Sequence, residues 1–551
     1  IMKRIHILYY LGIALSLNIQ VYAQVSHGGR PLMNSQDFNP DRVLYLLPPL
    51  HPLEVDALTK HSGQESFHKT VSFAIQRTVD INPGHNGQWI RKGDTHVWRA
   101  HLISPGAKSI GIGFNRFSLT SDARLFLYTP GGKHIKGAFN AKNNKESERF
   151  VAGHLPGDEV IIELQVENPS REFGSMEIAL LSHGLKDDVG PGTAQACEID
   201  INCPEGDEWQ ILKNSVCYIE TPTQLCTGVL VNNTAYNGTP YILTAEHCVS
   251  SNVIAGYTTF YFGYENTDCF GDDASADFSI GGAQLIATAD SIDFTLLKLS
   301  SSPPREYNVY YAGWDARDQN HYSTATIHHP NADAKKISMD FDATHTATWV
   351  PGDLNDYIIP SNLWIKQWDV GTTEGGSSGS PLFNANKKVI GLLSGGLAYC
   401  GDSIGYNEES QRIIYDLTTN TDDFYSKIHY AFNYYDHPGK QLKKWLDPAH
   451  TGQASIGGLN PNTLSIQPVA YNAGFSIYPN PVKNHLYLSM KEMSGESSII
   501  RIRDITGKTK MEKSLSSGKP VEIDVSGLER GVYLISVTGT RFYGTLKFIR
   551  Q

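Results

Sequence analysis

The chemically most suggestive stretch of the sequence is a serine set among glycines, Gly-Gly-Ser-Ser-Gly-Ser-Pro at residues 375–381. Glycines let the backbone turn tightly and point N–H groups into a small space, which acyl transfer requires. A serine hydroxyl is a weak nucleophile near neutral pH, so Ser378 would need a base, and histidine is the natural candidate. Taken alone, such a stretch is more often only a turn.

Two further residues could complete the chemistry. His247 follows an apolar run and stands beside Cys248, which could hold it in place, and Asp293 begins the apolar run 293–297. A buried carboxylate can fix the tautomer of a catalytic histidine and stabilise its imidazolium form. Singly, each residue has an ordinary structural explanation. In the order His, Asp, Ser, with separations of 46 and 85 residues, they follow the chain order of chymotrypsin-type proteases, not that of subtilisins or α/β-hydrolases.

Length, charge and the first residues limit the kind of protein. A chain of 551 residues is too long for one core and predicts about three folded units. With 46 basic and 57 acidic residues the net charge is −11, which makes nucleic acid a poor partner. A basic start, a short apolar stretch at 5–17 and a small-residue site ending at Ala23 predict a cleaved secretory signal at 1–23. The alternative, a membrane anchor, is disfavoured because no second apolar stretch of spanning length follows.

The cysteines are confined to one part of the chain. All seven lie between Cys197 and Cys400, which predicts a separate domain held by disulfides in an exported protein. An odd count leaves at least one thiol unpaired. The sequence contains no CxxC pair, and the Cys-to-His spacings fit no zinc site, so disulfides are favoured and we expect no metal bound by these cysteines.

The periodicity predicts an all-β protein. Residues 24–186 alternate polar and apolar at period two, without cysteine, and predict a β-rich domain. Residues 187–456 again combine strands with glycine-rich turns. Residues 457–473, rich in Gly, Asn, Pro, Ser and Thr, are typical of a linker. The last block, 474–551, predicts short strands separated by turns.

The middle block resembles the bacterial lysyl endopeptidase family, a branch of the chymotrypsin-like serine proteases, over nearly its whole length. The motifs that carry the resemblance are Cys-Glu-Ile-Asp-Ile-Asn-Cys-Pro-Glu-Gly at 197–206, Cys-Thr-Gly at 226–228, Val-Asn-Asn at 231–233, His-Pro at 329–330, Thr-Glu-Gly-Gly-Ser-Ser at 373–378 and Trp-Leu-Asp-Pro at 445–448. The resemblance implies a double β-barrel with His247, Asp293 and Ser378 as catalytic triad. It also implies an oxyanion hole formed by the backbone N–H groups of Gly376 and Ser378.

The same resemblance implies a disulfide pattern and a structural loop. By position, the family's bridges would join Cys197 with Cys400, Cys203 with Cys269, and Cys226 with Cys248, leaving Cys217 as the odd thiol. The adjacent histidines His328 and His329 could suggest a metal site. In the family the segment at 329–330 is a structural loop, so we expect no metal there.

Specificity requires its own argument. Thr372 stands where trypsin has the acid of its specificity pocket, so a trypsin-type pocket is not supported. In the lysyl endopeptidases the acid comes from a downstream segment, and Asp423 matches it in place; the alternative is a surface-loop aspartate. The expected pocket wall is Ser394, Gly395 and Gly396. The best-known family member has a histidine where Ser394 stands, and Trp349 is a candidate for that histidine's aromatic partner, so the ratio of Lys to Arg cleavage could differ from the family's.

The flanking blocks also resemble known domains. Motifs between residues 98 and 167 resemble the β-sandwich propeptide of the same family, and Lys186 is the candidate bond for self-processing. The motifs Tyr-Pro-Asn-Pro at 478–481 and Gly-Val-Tyr-Leu-Ile at 531–535 resemble the Ig-like type IX secretion sorting domain of Bacteroidota. That resemblance implies export through the periplasm and outer membrane, followed by release or surface attachment. The alternative is an ordinary accessory module that binds carbohydrate or protein.

The leading hypothesis is therefore a secreted, monomeric serine endopeptidase that cleaves after lysine and needs no cofactor. Its expected partners are protein and peptide substrates and the type IX secretion machinery. Two alternatives stay open, a serine protease with Arg or broader specificity and a non-catalytic surface adhesin built on a protease scaffold.

Overall fold

The computed structural model describes residues 26–32, 38–55, 68–168, 170–185, 194–349, 360–407, 412–464, 475–490, 498–504, 508–515, 521–538 and 543–551. The signal site at Ala23 and the processing site at Lys186 lie outside these residues and stay predictions. Two compact units are present, residues 1–461 and 462–551. The domain boundaries inside the first unit, at 186 and 456, stay predictions.

The N-terminal part is built from two antiparallel-rich sheets. Its helix α1 spans Pro40–Val43, and its strands are β1 Leu44–Leu46, β2 Val71–Ser72, β3 Ala74–Ile81, β4 Gln88–Lys92, β5 Thr95–Ile103, β6 Ser109–Leu119, β7 Ala123–Tyr128, β8 Ile135–Phe139, β9 Phe150–Pro156, β10 Glu159–Val166 and β11 Gly174–Gly184. One sheet has the order β1-β5-β10-β7-β8, with β4 beside β5, and the other has the order β3-β11-β6-β9.

A single apolar core joins these two sheets into a sandwich. Trp98 and Leu164 contribute from one sheet and Phe114 and Ile178 from the other, all fully buried. The period-two pattern read from the sequence produces this packing, because alternate side chains of a strand point to the same face.

The middle part contains two further sheets. Its strands are β12 Ile199–Asp200, β13 Val216–Glu220, β14 Gln224–Val231, β15 Tyr241–Thr244, β16 Thr259–Phe262, β17 Phe278–Gly281, β18 Ala283–Ala289, β19 Phe294–Leu299, β20 Gly313–Trp314, β21 Tyr322–His328, β22 Lys336–Ala343, β23 His345–Ala347, β24 Asn362–Gln367, β25 Pro381–Phe383, β26 Lys388–Gly396, β27 Ser403–Asn407, β28 Arg412–Tyr415 and β29 Thr421–Lys427. One short helix, α2 Asn252–Gly256, lies between β15 and β16, and three come after β29, namely α3 Ile428–Asn433, α4 Lys443–Leu446 and α5 Pro461–Leu464.

These strands form two sheets that face one another, with the hairpin β27-β28 apart from both. The first has the order β17-β16-β13-β14-β15-β19-β18, and the second β12-β22-β21-β25-β26-β29-β24-β23, with β20 beside β26. One core cluster draws Leu243 and Leu296 from the first sheet and Ile327 and Leu392 from the second. The shared core holds the ends of both sheets in fixed positions, and the candidate site lies there.

The second unit is a small two-sheet β-structure. Its strands are β30 Phe475–Tyr478, β31 His485–Met490, β32 Ser498–Asp504, β33 Thr509–Leu515, β34 Val521–Asp524, β35 Gly531–Thr538 and β36 Tyr543–Arg550. The orders are β30-β31-β34 and β33-β32-β35-β36, and Leu486, Ile502 and Ile535 meet in its core. With this unit, the all-β fold class predicted from the sequence is confirmed.

Candidate active site

Ser378 lies in the loop between β24 and β25. Gly376 and Gly379 adopt φ values of 94° and 78°, which glycine tolerates and other residues rarely do. A side chain at Gly379 would collide with Thr244 and with the carbonyl of Thr227 in the first sheet. The glycines therefore let this loop press against the first sheet, and Ser378 is fully buried there.

His247 and Asp293 reach Ser378 from the first sheet. His247 follows β15, and Asp293 directly precedes β19, where its φ of 54° is left-handed. The His247 Nδ1 lies 2.9 Å from Asp293 Oδ1 and 3.1 Å from Oδ2, while Nε2 lies 2.8 Å from Ser378 Oγ. The structure thus brings the three predicted residues into one hydrogen-bonded line.

Electrostatics decide which groups donate and which accept between Asp293, His247 and Ser378. Burial alone would raise the pKa of Asp293, but the charge and hydrogen bond of His247 lower it below its usual value. The backbone N–H groups of Glu246 and His247 also donate to Asp293 Oδ1, at 2.9 and 3.2 Å. An ionised Asp293 can only accept, so His247 Nδ1–H donates to it, and Nε2 is left to accept the proton of the Ser378 hydroxyl.

The disulfides tie this region together. The structure joins Cys197 with Cys400, Cys203 with Cys269, and Cys226 with Cys248, the pairs expected from the resemblance. The last bridge spans 22 residues and holds the residue next to His247. All seven cysteines lie within the described residues, and Cys217 is left as a buried thiol whose pKa burial raises to about 12.

The predicted pocket residues lie side by side at the ends of β26 and β29. Gly396 is paired with Asp423, and a side chain at Gly396 would collide with the Asp423 carboxylate. Asp423 is fully buried, and burial raises its pKa. Trp368 Nε1 and Thr373 Oγ1 donate to its Oδ2 at 2.8 and 2.6 Å. These bonds point the second oxygen, Oδ1, into the pocket.

Sequence reasoning missed the residue that fills this pocket. Lys69, from the segment just before β2, places its Nζ 3.9 Å from Asp423 Oδ1 and donates to the carbonyls of Thr373, at 3.1 Å, and Ala398. Asp423 Oδ1 has no hydrogen-bond partner among the described residues, so the Lys69 ammonium is the cation that faces it. No local signal marks Lys69, because a lysine in a polar segment is ordinarily a surface residue.

His68 is the other residue that the sequence did not reveal. Its ring lies 4.1 Å from that of His247 and 5.3 Å, edge-on, from that of Trp349. The Nδ1–H of His68 donates to the Ser394 carbonyl at 3.0 Å. Trp349 therefore contacts a histidine of the N-terminal part of the chain. Ser394 lines the site through its backbone oxygen.

The adjacent histidines at 328–329 are held inside the fold. His328 hydrogen-bonds Ser377 Oγ at 2.8 Å and Ser338 Oγ at 3.1 Å, and burial lowers its pKa to about 3. His329 bonds the Asp333 carbonyl at 3.0 Å. Both rings are fully buried. The hydrogen bond from His328 holds Ser377, the residue before Ser378. This contact is consistent with a structural role for the segment.

Two parts of the chain are similar in sequence to known families. Residues 191–411 match the family described as lysyl endopeptidase, C-terminal domain, and residues 476–551 match the secretion system C-terminal sorting domain. A lysyl endopeptidase of Pseudomonas aeruginosa is 27% identical over 347 residues, which cover 57% of this chain and 72% of that protein.

Solved structures with partial likeness include Rv3671c from M. tuberculosis in an inactive form and a Glu endopeptidase in complex with MPD. The first has a TM-score of 0.26 and 15% identity and covers 41% of this chain and 86% of its own. The second has a TM-score of 0.25 and 16% identity and covers 43% and 89%.

Within the described residues, no helix combines the length and apolar character needed to cross a membrane. Residues 191–411 are thus similar to a lysyl endopeptidase domain and residues 476–551 to a secretion system sorting domain, and the chain is a serine endopeptidase that is secreted or attached to the cell surface.

Proposed function

We propose that this enzyme hydrolyses peptide bonds on the carboxyl side of lysine, with Ser378 as nucleophile, His247 as general base and Asp293 as the residue that orients it. The observation that carries the proposal is a lysine already seated in the site. The Lys69 ammonium lies beside Asp423. The backbone carbonyl oxygen of Lys69 accepts from the N–H groups of Gly376 and Ser378 at 2.6 and 3.0 Å.

The catalytic steps follow from these contacts. His247 Nε2 takes the Ser378 proton as Oγ attacks the lysyl carbonyl, and Asp293 stabilises the resulting imidazolium. The N–H groups of Gly376 and Ser378 stabilise the developing oxyanion; losing one such donor typically costs about 10² to 10³ in rate. His247 then delivers the proton to the leaving amine, and water releases the acyl group by the reverse path.

The pocket favours an ammonium over a guanidinium. An ammonium carries three N–H donors at a single atom, and Thr373, Ala398 and Asp423 place their oxygens around one point at the pocket's end. A guanidinium is planar and spreads its donors in a fork. The compact set of acceptors therefore supports lysine as the preferred P1 residue, the residue whose carbonyl is attacked.

A panel of matched peptide amides tests the proposal. The full chain, after maturation, is assayed on peptides that differ only in carrying Lys, Arg, Glu or Leu at P1. We expect Lys to be cleaved fastest, and the Ser378→Ala variant to lose about 10⁶ in kcat. The exposed control Ser302→Ala should match the wild type. Failure of the matured enzyme to cleave any peptide would remove the proposal and favour the adhesin, and equal rates for Lys and Arg would remove the lysine preference.

A further inference from the structure

The segment at 68–73 crosses the active site in the way a substrate would. His68 lies against His247 and Trp349, Lys69 fills the pocket, and the Lys69 carbonyl enters the oxyanion hole. The chain then continues past Ser378 towards the sandwich. Each of these contacts belongs to one continuous stretch of backbone, so the peptide bond between Lys69 and Thr70 lies at the position of a bond about to be cut.

The residues after that bond are anchored as a short strand. In β2, Val71 and Ser72 pair with Leu225 and Gln224 of β14, and the Phe73 N–H donates to the Thr223 carbonyl at 3.0 Å. This antiparallel pairing uses the start of β14, which β15 does not cover because β15 pairs only with residues 229–231. Pairing with exposed backbone of a strand is how extended peptides commonly bind. It fixes the register of the segment, because a slip of one residue would turn every side chain to the opposite face.

Burial on the leaving-group side strengthens this register. Val71 and Phe73 are 5% and 1% exposed and pack in a cluster with Tyr218, Leu225 and Tyr261. Burying two apolar side chains stabilises this placement of the segment, because apolar surface is removed from water. The part of the chain that follows the bond is thus held firmly, with Lys69 directed into the pocket.

The Lys69 side chain itself is almost removed from solvent. Lys69 is 8% exposed, and its ammonium is satisfied by the pocket carbonyls and by Asp423. A buried ammonium without such partners would be strongly unfavourable. The contacts therefore amount to a recognition complex between this lysine and this pocket within one chain.

We propose that the Lys69–Thr70 peptide bond is the enzyme's own intramolecular substrate, and that residues 68–73 block the site until Ser378 cuts that bond. This rests on the proposed function. Ser378 Oγ bonds to the Lys69 carbonyl carbon, its proton passes through His247 to the Thr70 nitrogen, and the C–N bond breaks. Water then hydrolyses the ester, leaving a carboxylate on Lys69, a free amine on Thr70 and a regenerated Ser378 hydroxyl.

The experiment follows the new N-terminus in the full chain by denaturing mass spectrometry and N-terminal sequencing. In the wild type we expect a fragment that begins at Thr70, at a rate that does not change on tenfold dilution, since the reaction is unimolecular. Ser378→Ala should yield no such fragment. Lys69→Gln should slow its appearance by about 10²-fold or more, the size of a broken buried charge pair.

Two further variants keep the result interpretable. Lys133→Gln removes an exposed lysine of the same N-terminal part and should be cut after Lys69 as the wild type is. Lys69→Arg keeps a cation in the segment and serves if Lys69→Gln does not fold; its cut should also be slower than the wild type's.

The outcomes separate this inference from the proposed function. If the matured enzyme cleaves lysyl peptides but no N-terminus at Thr70 ever forms, the inference falls and the proposed function stands. A cut whose rate rises with protein concentration would show attack between chains and would also overturn the inference. If neither lysyl peptides nor the Lys69–Thr70 bond is cut, both fall.

Discussion

Replacing Asp423 by asparagine should remove the enzyme's discrimination for lysine while leaving its chemistry intact. Asparagine keeps the size of the side chain and one oxygen to accept from Trp368 and Thr373. Its amide nitrogen would then occupy the place of Oδ1, the atom that faces the ammonium. The variant therefore loses the charge without opening a cavity.

The size of the effect follows from the geometry. The Asp423 Oδ1 and Lys69 Nζ atoms are 3.9 Å apart, with side-chain exposures of 0% and 10%. At an effective dielectric constant of about 20, two unit charges at this distance attract by about 4 kcal/mol. Each 1.4 kcal/mol is tenfold, so we expect kcat/KM for a lysyl peptide to fall by about 10² to 10³.

The assay compares lysine with an uncharged residue of similar length. The matured wild type and Asp423→Asn are measured on peptides with Lys or norleucine at P1, and only the lysyl peptide should lose rate. The control is Asp422→Asn, since Asp422 accepts from Trp364 Nε1 at 2.9 Å and is not the pocket acid. If Asp423→Asn keeps a lysine-to-norleucine ratio within tenfold of the wild type's, the pocket has been assigned to the wrong residue.

Three further predictions concern stability and reactivity. Burial raises the pKa of Glu220 to about 7, so the folded state holds its proton more tightly than the unfolded state, and stability should fall as pH rises from about 4.5 to 7. Thermal unfolding of Glu220→Gln in a Ser378→Ala background should show a weaker fall than Ser378→Ala alone, and equal slopes would contradict this. Replacing the Cys226–Cys248 pair by serines should cost about 3 kcal/mol in urea unfolding, and an unchanged midpoint would exclude a stabilising bridge. With its pKa near 12, Cys217 should resist a thiol reagent at pH 8 until the protein unfolds; rapid labelling of the native protein would show that the thiol is accessible.

The order and spacing of three residues, together with the resemblance, made His247, Asp293 and Ser378 candidates for one site, and the structure places them within hydrogen-bond distance of one another. The glycines around Ser378 added a local signal, because a tight turn needs their positive φ values. The fold class followed from the period-two alternation, since buried side chains such as Val160, Ile162 and Leu164 are spaced by two. Glycine turns and period-two alternation can both be read from a few neighbouring residues, because each constrains the backbone locally.

The occupant of the pocket could not be predicted in this way. His68 and Ser394 are 326 residues apart, and Lys69 reaches the pocket only because β2 of the N-terminal part pairs with β14. That pairing joins segments that lie far apart in the sequence, which no short window of sequence encodes. For the same reason the contact between the rings of His68 and His247, 4.1 Å apart, could not be predicted from the sequence.

The most direct test of the account is covalent trapping of the nucleophile by a lysine-shaped reagent. The matured enzyme is treated with a peptidyl diphenyl phosphonate carrying lysine at P1, or with its norleucine analogue, and the modified residue is located by peptide mass mapping. We expect one label, on Ser378, formed at least about 10² times faster with the lysine reagent than with the norleucine reagent. A label on another residue, or equal rates for the two reagents, would contradict it.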